Sequence, residues 1–316
     1  MHVFVPKAPP EAVVARLERV VGDGAVTVEG SPPDETTVIV DGRPSAETLD
    51  ALTNLEAVIV PFAGIPVETL EVVRARRGLA LYNLHHNAAA TAEKAIELLM
   101  AVAKGTLRND ARLRQNDWGG RYETPTGVSI AGKEALVLGY GRIGTRVAAA
   151  LVAMGATVRA TKRIARSAFD GEVEIYSPTA LPNLLPKSQI VIVATPLTDD
   201  TTGLLGPREI GMLPADAIIV NVARGKVVDE EALYDALRNK RVLGAGLDVW
   251  WQYGRAGAER TPPSRFDFAA LENVVMSPHC GGSTVDTEDL RWQALVDLIE
   301  RIHAGKADAV DLDAGY

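Results

Sequence analysis

Short apolar runs alternate with longer amphipathic stretches along most of this chain of 316 residues. The runs are rich in Val and Ile and have the length of strands, whereas the stretches have the apolar period of helices. In the first part of the chain we predict strands at 3–5, 26–28, 37–40 and 57–60. We predict helices between them at 10–21, 45–54 and 67–76. Because the alternation resumes at 134 and continues to 276, the sequence predicts two α/β units, each with a parallel sheet between layers of helices.

Two longer helical patterns lie outside this alternation. The first covers 88–104 and has no strand pattern beside it, so we expect it to pack between the two units. The second covers 283–304 and comes after the last strand of the second unit. We infer that the chain there returns to the first unit. The predicted domains are therefore one at 1–100 and 286–316 and another at 101–285.

A glycine-rich turn stands between a predicted strand at 135–138 and a predicted helix at 145–154. It reads Gly139, Tyr140, Gly141, Arg142, Ile143, Gly144. In a dinucleotide site the first glycine permits the turn, the second lets a pyrophosphate approach and the third lets helix and strand pack closely. The helix N-terminus then offers free N–H groups to the phosphates. The pattern predicts a dinucleotide site, and the alternative is a plain strand–helix turn without a ligand.

The strand after this turn, at 157–161, ends in a basic pair, Lys162 and Arg163, with Arg166 a little further on. A site for NAD usually carries Asp or Glu here to bind the ribose 2′-OH. Lysine and arginine attract a 2′-phosphate instead, so the sequence favours NADP over NAD. The alternative is a solvated basic loop that contacts nothing.

Three segments that follow predicted strands of the second unit hold candidate site residues. They are Thr195 and Pro196 in 193–198, Val222, Ala223 and Arg224 in 221–225, and His279 in 277–282. Because the carboxyl ends of parallel strands line the ligand crevice of a doubly wound sheet, we expect Arg224 and His279 to share a cleft. Arginine holds a carboxylate bidentately and histidine exchanges a proton near neutral pH. With Asp248 to orient a nicotinamide ring, these groups fit hydride transfer to or from a carbonyl carbon.

Composition narrows the range of partners. The net charge of −8 argues against nucleic acid and against an anionic membrane surface, and no apolar run is long enough to span a membrane. Cys280 is the single cysteine, which excludes an intramolecular disulfide and fits a reducing compartment. The N-terminus lacks the pattern of a signal peptide. We therefore expect a cytoplasmic protein with a small-molecule substrate, and we predict no metal site, since the adjacent His85 and His86 have poor ligand spacing.

These segments together resemble the D-isomer-specific 2-hydroxyacid dehydrogenase family. The likeness covers roughly 80–290 and rests on the order and spacing of the glycine turn and the segments 195–198, 202–204, 221–230, 246–249 and 277–279. It implies a Rossmann nucleotide domain inserted into a flavodoxin-like substrate domain, and a homodimer. It also implies that Arg224 binds the substrate and that His279 is the acid/base.

The chain departs from the family pattern in two places. The family pairs its catalytic histidine with a Glu, whereas the corresponding positions here hold Gln252 and Tyr253, neither of which is ionised at neutral pH. The expected consequence is a lower pKa for His279 and a reduction reaction that works best in acid. The turn whose N–H groups bind substrate carboxylate in the family reads Phe62, Ala63, Gly64 here, and Phe62 fits a pocket wall and a core position equally well.

We therefore expect an NADP-dependent oxidoreductase that interconverts a 2-oxo acid and a D-2-hydroxy acid, with glyoxylate, hydroxypyruvate or a bulkier analogue as substrate. Two alternatives remain open at this stage. One is a dehydrogenase for formate or phosphite on the same fold, since formate dehydrogenases also use Gln as the histidine partner. The other is a dinucleotide-sensing protein without catalysis.

Overall fold

A computed structural model describes residues 1–123, 127–163, 168–254 and 260–312 of the chain. The chain divides into two compact units, one formed by Met1–Asn87 with Ser283–Tyr316 and the other by Ala88–Gly282. Each unit contains its own parallel sheet. The predicted α/β class with doubly wound sheets is confirmed.

The strands belong to two sheets. The first unit contains β1 Val3–Val5, β2 Val26–Val28, β3 Val38–Val40, β4 Ala57–Val60 and β5 Ala80–Asn83. The second contains β6 Glu134–Leu138, β7 Thr157–Thr161, β8 Phe169–Asp170, β9 Val173–Tyr176, β10 Ile190–Val193, β11 Ile218–Asn221, β12 Gly244–Leu247 and β13 Val274–Met276. The five-stranded sheet has the parallel order β2-β1-β3-β4-β5 of flavodoxin-like folds. The eight-stranded sheet has the order β13-β12-β11-β10-β6-β7-β9-β8 and is parallel except for its edge strand β8.

Eleven α-helices lie within the described ranges. They are α1 Glu11–Val21, α2 Ala46–Ala51, α3 Val67–Arg74, α4 Ala88–Lys104, α5 Thr106–Leu113, α6 Gly119–Tyr122, α7 Arg142–Ala153, α8 Leu181–Leu184, α9 Pro207–Met212, α10 Glu230–Arg238 and α11 Thr287–His303. The helix predicted at 283–304 therefore begins four residues later than expected. The helix predicted at 45–54 covers only Ala46–Ala51, and its N-cap is Ser45, whose side chain accepts a hydrogen bond from the N–H of Thr48.

Alternating side chains divide the core of each unit between the two faces of its sheet. In the first unit Val3 and Val5 pack toward α1 and α11, whereas Phe4 packs toward α2 and α3. In the second unit Leu136 packs in a cluster with α10, and Val137 packs in a cluster with α4 and α7. Strands that bury both faces are the reason that these runs are almost continuously apolar.

Helix α4 packs on the second sheet, against β11, β12 and α7. Two glycines in β12 make this approach possible, since a Cβ at Gly246 would lie 2.7 Å from the Cβ of Leu98 and one at Gly244 would lie 2.8 Å from Val102. The helix therefore belongs to the second unit, whereas the sequence placed most of it in the first domain. No strand pattern stands next to this helix in the sequence, because the strands that α4 covers come more than a hundred residues later.

Candidate active site

The glycine turn has the geometry that its three glycines predict. Gly139 has a φ of 96°. It lies so close to the residues that follow the neighbouring strand β10 that a Cβ would be 2.7 Å from the Ala194 oxygen and the Thr195 Cα. A Cβ on Gly144 would overlap the carbonyl oxygen of Gly139. A Cβ on Gly141, by contrast, would meet nothing within 4 Å, although this residue caps the N-terminus of α7. The backbone is therefore open at the position where a pyrophosphate would approach.

The side chain of Tyr140 turns away from this opening. It is 6% exposed within the core of the second unit, and its hydroxyl donates to the Asp170 carboxylate at 2.9 Å. Burial, aided by this carboxylate, raises the pKa of Tyr140 to about 12. This hydrogen bond thus links the edge strand β8 to the glycine turn. The predicted role of Tyr140 in cofactor binding is therefore left to its backbone. Arg142 and Ile143 begin α7 directly after the turn.

The basic pair follows β7 on the exposed surface, as the sequence predicts. Lys162 and Arg163 are both exposed, and the N–H of Lys162 donates to the Tyr176 carbonyl at 2.9 Å, which extends the pairing of β7 with β9 by one residue. Arg166 lies outside the described residues. The end of β7 thus presents basic side chains where an NAD site usually has a carboxylate.

A buried asparagine that the sequence analysis missed shapes the turn that carries Arg224. Asn221 is fully buried at the end of β11; its amide donates to the Arg224 carbonyl at 3.0 Å and its oxygen accepts from the Ala223 N–H at 3.0 Å. The Arg224 guanidinium donates to the Ala223 carbonyl at 2.6 Å and is half-buried. Val222 is buried and bonded to the Val193 carbonyl, so it follows β10 closely. Thr195 and Pro196 follow β10 at the same edge of the sheet.

His279 lies in a short loop after β13 that is held by Asp248. The Asp248 side chain is 2% exposed, and its two oxygens accept hydrogen bonds from the Ser277 hydroxyl at 2.5 Å and from the N–H groups of Cys280 at 3.0 Å and Gly281 at 2.9 Å. Within this loop His279 adopts a left-handed φ of 57°, which is uncommon for a residue with a side chain. Asp248 was predicted to orient nicotinamide, and the contacts that the structure gives it are with the histidine loop.

The charges of Arg224 and Asp248 act on the pKa values of both Tyr253 and His279, so these four residues form one electrostatic group. Their segments follow the neighbouring strands β11, β12 and β13, as expected for a shared crevice. The Tyr253 ring lies 5.4 Å from the His279 ring between centroids. Desolvation and the positive charge of Arg224 lower the pKa of His279, and Asp248 opposes them. Desolvation raises the pKa of Tyr253, so its hydroxyl stays neutral.

Of the two residues in the register of the family's Glu, Tyr253 has its ring beside the imidazole of His279. Gln252 is exposed, its N–H donates to the Pro263 carbonyl at 2.9 Å, and its side chain lines a surface cavity of about 460 Å³ with Met276. In the described ranges no carboxylate hydrogen-bonds the His279 ring. The expectation of a neutral partner for the histidine therefore rests on Tyr253.

The turn after β4 in the first unit holds the predicted substrate residues. Phe62 packs against the apolar cluster of that unit, and a Cβ on Gly42 would lie 2.5 Å from its ring. The amide of Asn83 donates to the Ala63 carbonyl at 2.5 Å, which fixes the turn next to Gly64. The contacts of Phe62 are thus those of a core residue within its own unit, and substrate binding by Ala63 and Gly64 stays a prediction.

Neither Ser277 nor Trp250 was assigned a role in holding the histidine loop from the sequence. Ser277 follows β13 and Trp250 follows Asp248 by two residues, so both stand at neighbouring strand ends. Strand-end placement is the signal that identified Arg224 and His279, and it could have pointed to these two residues as well. In the part of the chain that is described, no helix is long and apolar enough to cross a membrane, and no group of three His, Cys, Asp or Glu side chains is arranged to hold a metal.

The chain resembles several known proteins in sequence. Residues 96–281 match the sequence model described as "D-isomer specific 2-hydroxyacid dehydrogenase, NAD binding domain". The chain is 35% identical over 277 residues to D-3-phosphoglycerate dehydrogenase of Mycobacterium leprae, covering 85% of this chain and 49% of that protein. It thus spans about half the length of the phosphoglycerate dehydrogenase. It is 31% identical over 276 residues to glyoxylate reductase of Thermococcus gammatolerans, covering 85% of this chain and 78% of that enzyme.

The fold as a whole has solved counterparts. A D-isomer specific 2-hydroxyacid dehydrogenase from Xanthobacter autotrophicus, crystallised with NADPH and MES, is 26% identical. It superposes with a TM-score of 0.80 and covers 100% of this chain and 99% of its own.

Proposed function

This chain belongs to the D-isomer specific 2-hydroxyacid dehydrogenase family, and on that premise we propose that it is an NADP-dependent reductase of small 2-oxo acids. The proposal rests on the group formed by Arg224, Tyr253 and His279 at the carboxyl edge of the second sheet. The glycine turn at the same edge is open at Gly141. The edge combines a fixed cation, a titratable imidazole and a phosphate-accepting helix N-terminus.

The residues present fit a dinucleotide. The open backbone at Gly141 and the N-terminus of α7 would hold the pyrophosphate, and Lys162 with Arg163 would hold a 2′-phosphate. Thr195, Pro196, Val222 and Ala223, which follow β10 and β11, would line the same edge. When bound, the reduced cofactor supplies the hydride. The related Xanthobacter enzyme was crystallised with NADPH, which supports the choice of NADP.

Arg224 and His279 divide the work on the substrate. The Arg224 guanidinium would bind the carboxylate and polarise the neighbouring carbonyl, since its donors match two oxygens at once. As the substrate's C2 accepts a hydride, its oxygen takes a proton from the His279 imidazolium, which leaves neutral imidazole and a 2-hydroxy acid. Because desolvation and Arg224 lower the pKa of His279, the imidazolium is abundant only in acid. Reduction should therefore be faster at acidic pH.

The proposed substrate is chosen from a relative's name, and its binding groups from a turn of the first unit. We propose glyoxylate, hydroxypyruvate or a bulkier 2-oxo acid as the substrate, and a relative named glyoxylate reductase supports the first of these. The N–H groups of Ala63 and Gly64 are proposed to bind its carboxylate. The formate alternative relies on a Gln beside the histidine, and it gains no support, because Gln252 is exposed and lines a surface cavity.

We also propose that the chain forms a homodimer, with the cytoplasm as its location. Large apolar side chains are exposed on α5 and α6, where Trp118 is 61% and Tyr122 is 78% exposed, with Leu107 and Leu113 nearby in the chain. Exposed apolar groups of this size are typical of an interface between subunits. Light scattering should give twice the monomer mass, and a monomer at micromolar concentration would contradict this.

A panel of 2-oxo acids with NADPH, assayed between about pH 5 and pH 8, tests the activity. Arg224→Lys should lower kcat/KM by about 100-fold while NADPH binds as before, because a lysine cannot grip a carboxylate with two parallel bonds. Lys226→Ala, an exposed neighbour on the same turn, is the matched control and should leave both unchanged. Wild-type protein that binds NADPH and turns over no member of the panel would refute the activity and favour a sensing role.

A further inference from the structure

Trp250 contacts all three segments that carry the proposed catalytic groups. Its indole N–H donates to the Ser277 carbonyl at 2.8 Å, two residues before His279. Its backbone N–H donates to the Tyr253 hydroxyl at 3.0 Å. Its own carbonyl packs against Gly225, where any Cβ would overlap it. The residue is 5% exposed, so these contacts are made inside the protein.

The contact with Ser277 bears on the conformation of the histidine loop. His279 holds a left-handed backbone conformation that a residue with a side chain adopts only when its surroundings enforce it. Asp248 restrains the loop from one side, through the Ser277 hydroxyl and the N–H groups of Cys280 and Gly281. The indole of Trp250 restrains the peptide that leads into the loop, through the carbonyl of the same serine.

The contact with Tyr253 bears on the group next to the imidazole. A tyrosine hydroxyl that accepts a hydrogen bond from a backbone N–H has its oxygen fixed, and the ring then has a fixed position beside His279. The close packing of Trp250 on Gly225 in turn fixes the backbone next to Arg224. The side chain and backbone of Trp250 thus contact the segments that carry His279, Tyr253 and Arg224.

We propose that Trp250 is a positioning residue for the reaction, which sets the placement of His279 and Tyr253 relative to Arg224 through its two N–H groups. The inference rests on the proposed function for its kinetic consequence, and its structural part is independent of the substrate. Trp250 touches neither substrate nor cofactor in this role; it acts through the loops that it holds.

The adjacent Trp251 offers a matched comparison. Its indole N–H also donates to a backbone carbonyl, that of Val228 at 3.0 Å, and its ring stacks on Phe268 with centroids 5.5 Å apart. None of the described contacts of Trp251 reaches the loop of His279. If the only effects were the loss of an indole N–H and a smaller ring, Trp250→Phe and Trp251→Phe should therefore lose a similar amount of activity.

The first experiment compares kinetics. Trp250→Phe should lower kcat for the best 2-oxo acid by about 10- to 100-fold, since small misplacements of catalytic groups have effects of this size, while the Kd of NADPH is unchanged. Trp251→Phe should stay within about two-fold of wild type. Tyr253→Phe removes the partner of the Trp250 backbone N–H, and its effect should be less than additive with Trp250→Phe. Equal losses of kcat in Trp250→Phe and Trp251→Phe would overturn the inference.

The second experiment does not depend on turnover. Titration of the His279 imidazole by nuclear magnetic resonance, assigned with His279→Gln, measures its surroundings directly. The charged and titratable groups that face it are Arg224, Asp248 and Tyr253. In Trp250→Phe the loosened loop should hydrate the ring and raise the pKa of His279 toward its ordinary value, and in Trp251→Phe the pKa should not move.

The two readouts separate the two ideas. If wild-type protein reduces no 2-oxo acid but Trp250→Phe alone moves the titration, the proposed function fails and the positioning role of Trp250 stands. If the enzyme is active and the titration is the same in wild type and in both variants, Trp250 does not position His279. Should Trp250→Phe fail to fold, the Tyr253→Phe titration tests the other hydrogen bond of Trp250, the one from its backbone N–H to the Tyr253 hydroxyl, and an unchanged pKa of His279 there would reject the proposal.

Discussion

Two turns at the same edge of the eight-stranded sheet hold their shapes in different ways. The glycine turn after β6 uses backbone freedom, with Gly139 at a positive φ and Gly144 without space for a Cβ. The histidine loop after β13 also needs a positive φ, but places a histidine there. It is held by the Asp248 carboxylate and the Trp250 indole, which come from the neighbouring strand end.

The difference fits the roles that we propose for the two turns. A turn that binds phosphate offers backbone N–H groups, so side chains are obstacles and glycine suffices. A turn that moves a proton has to present an imidazole, so the strained conformation has to be stabilised by other side chains. The first kind of turn is determined locally and the second by distant residues. Four predictions test this contrast, in order of decreasing effect.

Gly144→Ala should have the largest effect, because its methyl group would overlap the Gly139 carbonyl. We expect a loss of about 3 kcal/mol in unfolding free energy, measured by urea denaturation, together with loss of NADPH binding. Gly141→Ala is the control, since its methyl group would meet no protein atom within 4 Å. It should fold with wild-type stability and still bind NADPH poorly. A similar loss of stability in both variants would contradict the view that the missing space for a Cβ at Gly144 determines this turn.

Asp248→Asn should destabilise the histidine loop. The amide nitrogen of asparagine cannot accept the bonds that the carboxylate receives from Ser277, Cys280 and Gly281. We expect about 2 kcal/mol less stability and a lower kcat with unchanged NADPH affinity. Asp216→Asn removes a more exposed carboxylate that pairs with Lys133, and it should cost about 0.5 kcal/mol. Equal costs would mean that the loop does not depend on Asp248.

Lys162→Ala combined with Arg163→Ala should act on the nucleotide alone. Without the basic pair the Kd of NADPH should rise by about 10- to 100-fold, whereas NADH, which lacks the 2′-phosphate, should bind almost as before. Fluorescence titration with the two cofactors measures both. Lys187→Ala, an exposed lysine elsewhere in the unit, is the control. An equal effect on both cofactors would remove the basis for choosing NADP.

Tyr253→Glu should have the smallest effect, a shift of the pH profile. In the wild type, reduction should be lost as pH rises through the pKa of His279, which desolvation and Arg224 lower. A carboxylate beside the ring stabilises imidazolium, so the profile should move to higher pH by about one unit. Tyr253→Gln loses the same ring and hydroxyl without adding a charge, so it is the control, and the profile of Tyr253→Glu should lie about one unit above that of Tyr253→Gln. An unmoved profile in Tyr253→Glu would show that this position does not control the histidine.

Patterns of apolar residues were sufficient for the fold class, because strands buried on both faces leave an almost continuous Val and Ile signal. They were insufficient for α4, whose partners in β11 and β12 are remote in sequence and whose contact depends on Gly244 and Gly246. The edge strand β8 was also missed, since two exposed residues carry no periodic signal.

The candidate site shows the same division. The residues that sequence reasoning identified, such as Arg224 and His279, stand at strand ends, where topology alone brings them together. The residues whose role it missed, Asn221 and Trp250, act through hydrogen bonds to backbone atoms of other segments, or of their own turn, and no spacing rule reveals those bonds.

The sequence by itself determined the α/β class, the glycine turn and the identity of the charged groups, because each of these depends on local backbone preference or on strand order. Only the tertiary structure decided that Tyr253 rather than Gln252 stands beside His279, and that Asp248 and Trp250 hold the histidine loop. Those choices depend on which side chains meet when neighbouring strands end together, and packing between distant segments settles that.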